Sequence, residues 1–595
     1  MPGHRQVVLG LSVALFVAGF LLYAPSLRYG HVEYDDVRIL YDHSALYDEH
    51  SLAHSLREIF VGYYPREEPL VVRDVTWALD SRIFGFQSAF GHHFGNVLLN
   101  AANGTLLFLF LVAATRRLYF AAVVAAAWIV LPVHVEPVCW LMGRKDVLCA
   151  FFALAALCVE ARALDAPEQS PTRPLGLRVA SVVLCTLAVF SKISAVTLVG
   201  VICAFRVLGP KLRARDAAPA SVARAVVGVV PHLVVSVAAY AWYNRVLHQF
   251  GVLHPSTTPL GTRVADLLLY GPLALGGYLG GMLGLSDGSI IYAWPDAAIA
   301  LDGAAIVSSI AIVLALVAFA FFIARRRREL GFWVVAFVLL MLPYMHFVEV
   351  IRWRADRYVY LASFCVLALV VELAGGLVAR ARPALRRVLF GAVAAWALVA
   401  VFVTLASSPR FADDRALWTW EVALARPAPA AFVSLASSYV AEGRATKDAA
   451  ARLRLAESAE RVARAGEDYY RSVPWRRDRA PKRDLANLEV QLGQAAALRG
   501  EPIAAQLAHY EASYRIEPTD ANVLFLAQAL LVRAATDGHD VALARQSLAL
   551  YSERLALRSA DAARRAFDAR VLDAYRRSFP ELAPDIDAVE RRWRR

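Results

Sequence analysis

Glu33-Tyr34-Asp35-Asp36 sets two adjacent carboxylates directly after the first long apolar stretch of this 595-residue chain. A carboxylate pair at the mouth of a membrane bundle can bind a cation, hold a proton or take one from a hydroxyl, and ionisable groups at such a depth are functional candidates by default. In an average exposed loop Asp35 and Asp36 would read as helix-terminus or loop acids. Here other polar groups accompany them. His93 and Asn96 stand three apart at the start of the second apolar stretch, and His134 and Glu136 flank the end of the third. His134-x-Glu136 offers two ligands without a third, so it leaves a divalent metal open without specifying a site.

The cations form the complementary half. Arg144, Lys192 and Arg357 come from three separate loops, each beside further polar residues (Asp146, Ser191, Asp356 and Tyr358), and Arg73-Asp74 in the first long loop can join them. Such a set offers bidentate and point-charge partners to a phosphate or pyrophosphate; the competing reading is snorkelling or ion pairing. Carboxylates opposite cations at one membrane surface suit transfer from a lipid-phosphate donor, in which an acid deprotonates the incoming hydroxyl and cations stabilise the departing phosphate.

The elements that must position these groups are apolar helices. The chain is 58% hydrophobic and 19% charged, with a mean hydropathy of +0.47, against roughly 25% charged residues in an ordinary soluble chain. Stretches long enough to span are expected near 7 to 25, 96 to 114, 118 to 133, 146 to 164, 224 to 247, 299 to 323, 331 to 348, 358 to 378 and 387 to 406, with a shorter pair at 177 to 190 and 194 to 208 separated by Ser191-Lys192, about eleven spans in all. Arg116-Arg117, Lys211-Arg213-Arg215, the run from Arg325 to Arg328 and Arg380 to Arg387 fall on one side when these are threaded in order, which makes that side cytoplasmic. The acidic cluster and the chemical residues then face the opposite side. Gly271 to Gly284 resists this threading and is expected to be interfacial or re-entrant. Tyr23-Ala24-Pro25-Ser26 lacks a small-x-small cleavage pattern, so the first helix reads as an uncleaved anchor.

The net charge of +12 sits largely in interhelical loops and at the C-terminus, where topology rather than nucleic acid accounts for it. The six cysteines lie in or beside apolar segments and outline neither a disulfide framework nor a metal site. From residue 409 the composition shifts to Ala, Arg, Asp and Glu at helical spacing, with breaks expected at Pro427, Gly443, Pro474, Gly500, Pro518 and Gly538. Ala504 to Ala512 with Tyr510, then Pro518, Leu524 and Ala527, has the small-residue, aromatic and proline grammar of a tetratricopeptide helix pair, and a weaker copy runs from Ala416 to Ala436. Two domains are expected: a membrane domain over 1–408, with a first external loop at 26–95, and an all-helical repeat domain over 409–595.

Five motifs in register with this threading carry a family resemblance: His93-Phe94-Gly95-Asn96 through Asn100; Leu131-Pro132-Val133-His134-Val135-Glu136-Pro137; Gly143-Arg144-Lys145-Asp146; Ser191-Lys192 with Ala195 to Leu198; and Ala355-Asp356-Arg357-Tyr358 through Leu361. The chain resembles the bacterial relatives of the transmembrane and tetratricopeptide-repeat O-mannosyltransferases, within the GT-C glycosyltransferase superfamily. The resemblance implies an all-α polytopic membrane bundle in the bacterial inner membrane, a polyprenyl-phosphate-linked sugar donor, and an acceptor, expected to be a protein held by the repeats, reached from the periplasmic side. It also implies a catalytic acid in the first external loop, which here is Asp36 or Asp35. Two elements depart from the family pattern: Ser191-Lys192 is followed by Ile193 rather than Glu or Pro, and Glu67-Glu68-Pro69-Leu70 stands where the relatives have Tyr-Arg-Pro. A lipid or polysaccharide acceptor, or a non-catalytic scaffold, would share much of this layout.

Overall fold

The computed structural model describes residues 2–36, 40, 51–63, 68–163, 175–214, 221–250, 260–293, 330–345, 352–473, 481–556 and 562–593, with isolated helical positions between 307 and 327. It is 85% helix with no strand among the described residues. Two compact units separate: Met1–Tyr292 with Leu301–Leu417, and a second containing Trp418–Arg595. The contact boundary therefore falls at Leu417/Trp418 rather than at the composition shift near 408, because the turn after the last apolar helix packs back on the first unit. Gly30 N–H donates to Ala412 O at 2.8 Å, and Tyr29 Oη lies 3.0 Å from Ser408 Oγ.

The first unit begins with α1 (Pro2–Tyr23), followed by α2 (Leu52–Arg57) and α3 (Val71–Phe84) within the first long loop. The bundle proper is α4 (Ala89–Thr115), α5 (Leu118–Ile129), the short α6 (Val135–Cys139), α7 (Arg144–Ala163), α8 (Leu175–Ser191), α9 (Leu198–Arg213), α10 (Val222–Gln249), α11 (Leu260–Met282), α12 (Gly331–Met341), α13 (Ser363–Arg380) and α14 (Pro383–Ser407). Six helical segments among the described residues are long and apolar enough to cross a membrane, and a seventh results if α5 and α6, bent by 58° at Leu131-Pro132, act as one span. The chain is thus a helical membrane protein. α8 and the stretch Gly331–Tyr344 are apolar but shorter. The expected helix at 299 to 323 and most of the Arg325 to Arg328 run lie outside the described residues, as do Arg215, Glu67 and Pro474. The Gly-rich stretch from Gly271 falls mostly in the C-terminal half of the continuous α11.

α4 organises the unit. Ser88 caps it by accepting the Gly91 N–H, and the chain leaves it through Arg116 in the left-handed region at φ 60°. Along this apolar helix His93, Asn96, Asn100 and Asn103 recur at three- and four-residue spacing and are all buried, so one polar stripe faces protein instead of lipid. The stripe ties distant segments together. Asn103 donates to Val147 O at 2.8 Å, and Tyr360 Oη donates to Asn100 Oδ1 at 2.8 Å. Such interhelical bonds are typically worth about 0.6 to 2 kcal/mol in membranes.

In the second unit, helices from Pro429–Ala445 onward (Ala449–Ser472, Lys482–Leu498, Ile503–Ile516, Asp520–Thr536, Val541–Ala556) each pack on the next. Small residues sit where helices approach: a Cβ at Gly466 would meet Phe432 and Leu488, and one at Gly493 would meet Tyr510. Gly500 and Gly538 adopt φ of 74° and 96° in the expected breaks. The break expected at Gly443 begins three residues later, at Thr446, between the helices Pro429–Ala445 and Ala449–Ser472, and a Cβ on Gly443 itself would press on Leu498.

Candidate functional site

The break at Ser191-Lys192 is real. α8 stops at Ser191, Lys192 takes an extended conformation at φ −158° and ψ 121°, and a 3₁₀ turn, Ile193–Thr197, leads into α9. That break aims the ammonium at the first turn of α7, where Nζ donates to Asp146 Oδ1 at 2.5 Å. Two tyrosines cover the pair. Tyr344 and Tyr358 stack at 4.2 Å and 10°, and Lys192 Nζ lies 4.9 Å and 5.3 Å from their ring centres. Ser194 Oγ and Tyr344 Oη are 2.6 Å apart. With Arg357, Thr197 and Tyr360 these groups line a small cleft of about 40 Å³, to which the described residues bring two cations and several hydroxyls.

Arg357 enters from the turn before α13. Its guanidinium pairs with Glu136, its backbone N–H donates to the same carboxylate at 3.0 Å, and its charge lies 5.1 Å from the rings of both Trp140 and Tyr358. Both members of the pair are buried, a geometry in which mutual attraction and extra hydrogen bonds must offset the loss of hydration. The loop that supplies Glu136 and Trp140 is folded tightly: a Cβ at Gly143 would strike the Pro137 carbonyl.

The same loop reaches the acidic cluster. Trp140 packs on Tyr34 at 5.5 Å, and the Met142 backbone faces Asp36. Asp36 is fully buried, with Oδ2 accepting the Val32 N–H at 3.0 Å and Oδ1 without a partner. Burial pushes its carboxyl up to about 8, reinforced by the negative charges of Asp35 and Asp414, while the amides of Val32 and Met142 pull the other way. Asp35 beside it is half-buried. A carboxyl tuned into the neutral range is suited to exchanging a proton with a hydroxyl that reaches it.

Other expected ligands hold the scaffold. Arg144 does not join the cleft: its guanidinium donates to Asn96 Oδ1 at 2.5 Å, Thr76 Oγ1 at 3.1 Å, Asp80 Oδ2 at 2.6 Å and His92 O at 2.8 Å. Those bonds clamp α3, α4 and α7 together, and only a glycine at position 95 leaves room for them, since a Cβ there would overlap the guanidinium. Arg144, expected to bind the donor phosphate, is in this structure engaged by α3 and α4. Arg73 is likewise buried against Glu68 and Asp74, at 2.5 Å and 2.9 Å. Burial favours the neutral acid at Glu68, but Lys145 and Arg73 outweigh it and hold that carboxyl down to about 2; Asp74, for which burial outweighs Arg73, is pushed up to about 7.

His93 meets Gly30 O at 3.1 Å, and Asn96 donates to Trp140 O at 3.1 Å. His134 lies between Trp128 and Tyr360 with Nε2 3.2 Å from Ser363 Oγ. Asp356 accepts from Tyr292 Oη at 2.7 Å. These four tie the loops to their neighbours. Among the described residues no three His, Cys, Asp or Glu side chains gather as a metal-binding group. Tyr344 escaped the sequence reading because an aromatic at a span end reads as an interface anchor.

Comparison with known proteins adds no relative: no family model, curated protein or solved structure matches the chain.

Proposed function

We propose that this chain is an inverting membrane glycosyltransferase that moves a sugar from a polyprenyl-phosphate donor to an acceptor hydroxyl, on a protein, at the extracytoplasmic face of a bacterial inner membrane. In this reading the first unit is a GT-C-like bundle of about eleven spans, and the second is a tetratricopeptide-like array that presents the acceptor. The observation that carries it is Asp36: a buried carboxyl raised to about 8 with an unpartnered oxygen, joined through Tyr34 and Trp140 to the cationic cleft of Arg357 and Lys192. The acceptor hydroxyl gives its proton to Asp36 as its oxygen attacks the anomeric carbon. The bond from that carbon to the phosphate oxygen breaks, and the departing phosphate takes its charge to Lys192 and Arg357. Because Asp36 is fully buried, acceptor binding must uncover it, and half-buried Asp35 is the alternative base. The small residues between helices around Tyr510 support the repeat reading of the second unit.

Mass spectrometry of surface glycoproteins from cells with and without an intact gene tests the proposal. Hexose-bearing peptides should disappear with the gene. An unchanged glycoprotein profile with an altered glycolipid or polysaccharide would move the acceptor to that class, and no change in any glycan would overturn the transferase reading.

A further inference from the structure

Two carboxyl groups meet inside the second unit. Glu467 projects from the helix Ala449–Ser472 and Glu489 from the helix Lys482–Leu498, and their side chains lie within hydrogen-bonding reach of each other. Glu467 is buried, and no donor stands beside its buried Oε1. Close helix packing brings the two together: a Cβ on Gly466, one residue before Glu467, would press on Leu488, one residue before Glu489, and on Phe432. From the next helix, Ile503–Ile516, His509 Nδ1 stands 2.8 Å from Glu489 Oε2. The three side chains link three consecutive helices.

Counting donors shows which protonation state suits this contact. An ionised carboxylate only accepts hydrogen bonds, so two ionised groups would leave Glu467 Oε1 unpaired and set like charges against each other. One proton between them removes both costs: one carboxyl donates, the other accepts, and the pair keeps a single negative charge for His509. The cations nearby do not replace that proton. Arg464 is bonded to Glu460 at 2.8 Å, and exposed Arg471 approaches Glu467 Oε2 only to 3.7 Å while also facing Asp468 at 3.8 Å. Glu442 and Arg444 lie at the far end of the helix Pro429–Ala445, where Gly443 approaches Leu498, and Tyr470 faces Asp484. Burial first, and then the negative charge of Glu489, push the Glu467 carboxyl above its ordinary 4.5, against the pull of Arg471 and Arg464.

We infer that Glu467 and Glu489 share one proton and, with His509, form a pH-sensitive clasp on these three helices, closed in mildly acidic solution and released as pH rises. The inference is independent of the transferase reading. The folded unit holds the shared proton at pH values where an unfolded chain has released it, so the opening constant of the helices rises with pH, by up to about tenfold per pH unit while the proton stays bound. Hydrogen–deuterium exchange of the full-length protein in detergent measures that opening from about pH 5 to about pH 9, read by mass spectrometry on peptides from 449–472, 482–498 and 503–516 and corrected for the intrinsic exchange rate at each pH. Wild type should lose protection in all three helices across this range. Glu467→Gln, whose amide keeps a donor toward Glu489 but cannot ionise, should retain most of it, and Glu457→Gln, at an exposed position of the first of these helices, should follow wild type. If Glu467→Gln does not fold, Glu489→Gln replaces it and should flatten the same pH dependence. Protection independent of pH in wild type, a pH dependence in Glu467→Gln or its replacement equal to that of wild type, or an equal flattening by Glu457→Gln would overturn the inference.

Discussion

Arg357→Gln removes the charge that pairs with the Glu136 carboxylate among the described residues, while keeping the backbone N–H that reaches its other oxygen at 3.0 Å. Glu136 is 1% exposed and Arg357 7%, so water cannot substitute for the lost guanidinium. Leaving one member of a buried pair alone costs about 3 to 5 kcal/mol, and loss of the contacts 5.1 Å above Trp140 and Tyr358 adds about 0.5 to 2 kcal/mol. The single variant should therefore unfold at markedly lower temperature or denaturant in detergent. The double variant Arg357→Gln/Glu136→Gln removes the orphaned charge and should recover most of that loss. Donor binding separates structure from chemistry: if Arg357 also faces the phosphate, the double variant stays weak for the polyprenyl-phosphate sugar, by about 10- to 150-fold for a contact of about 1.5 to 3 kcal/mol. A single variant as stable as wild type would refute the burial argument. A double variant with restored donor affinity would show that Arg357 serves only Glu136.

Lys192→Gln should raise the KM for donor by a similar factor, and Lys192→Arg should recover part of it; unchanged KM in both would confine Lys192 to its pair with Asp146. Gly95→Ala should destabilise by about 1 to 3 kcal/mol through overpacking against Arg144, with donor KM unchanged in the folded fraction, and a selective KM effect would return Arg144 to the donor site. Asp36 carries a pH prediction of definite sign. Its folded pKa of about 8 lies above the ordinary 3.8, so the native state binds more protons than the unfolded one between those values, and stability from this group falls as pH rises through them. Asp36→Asn should accordingly be more stable than wild type near pH 8 and equal to it near pH 4; equal stabilities at both would contradict the burial of the charge.

Much of this arrangement was legible in the sequence, and the failures have physical reasons. Ser191-Lys192 between two short apolar runs marked a helix break because a lysine is costly at mid-membrane, and the break is where it was expected. Asp36 stood out for the same reason. The partners of Arg144, Thr76, Asp80, Asn96 and the His92 carbonyl, come from two other helices, and nothing local in the sequence shows that Gly95 opens the space they share. The buried stripe His93, Asn96, Asn100 and Asn103 was readable by its spacing, yet only its first half was used. The Tyr344–Tyr358 stack joins segments whose pairing is purely tertiary. Gly443 stands both near a helix end, which comes at Ala445, and at a close approach to Leu498.

The central claim is that a carboxylate of the first loop deprotonates a sugar acceptor. Its most direct test is transfer by the purified full-length protein from a polyprenyl-phosphate sugar to a hydroxyl acceptor, measured across pH for wild type, Asp36→Asn and Asp35→Asn. The account predicts a wild-type kcat/KM that climbs with pH toward a plateau, with a midpoint of about 8, and a loss of about 10² to 10⁴-fold in Asp36→Asn with the limb abolished. A comparable collapse in Asp35→Asn alone would move the base one residue. Wild-type turnover in both variants would contradict the account.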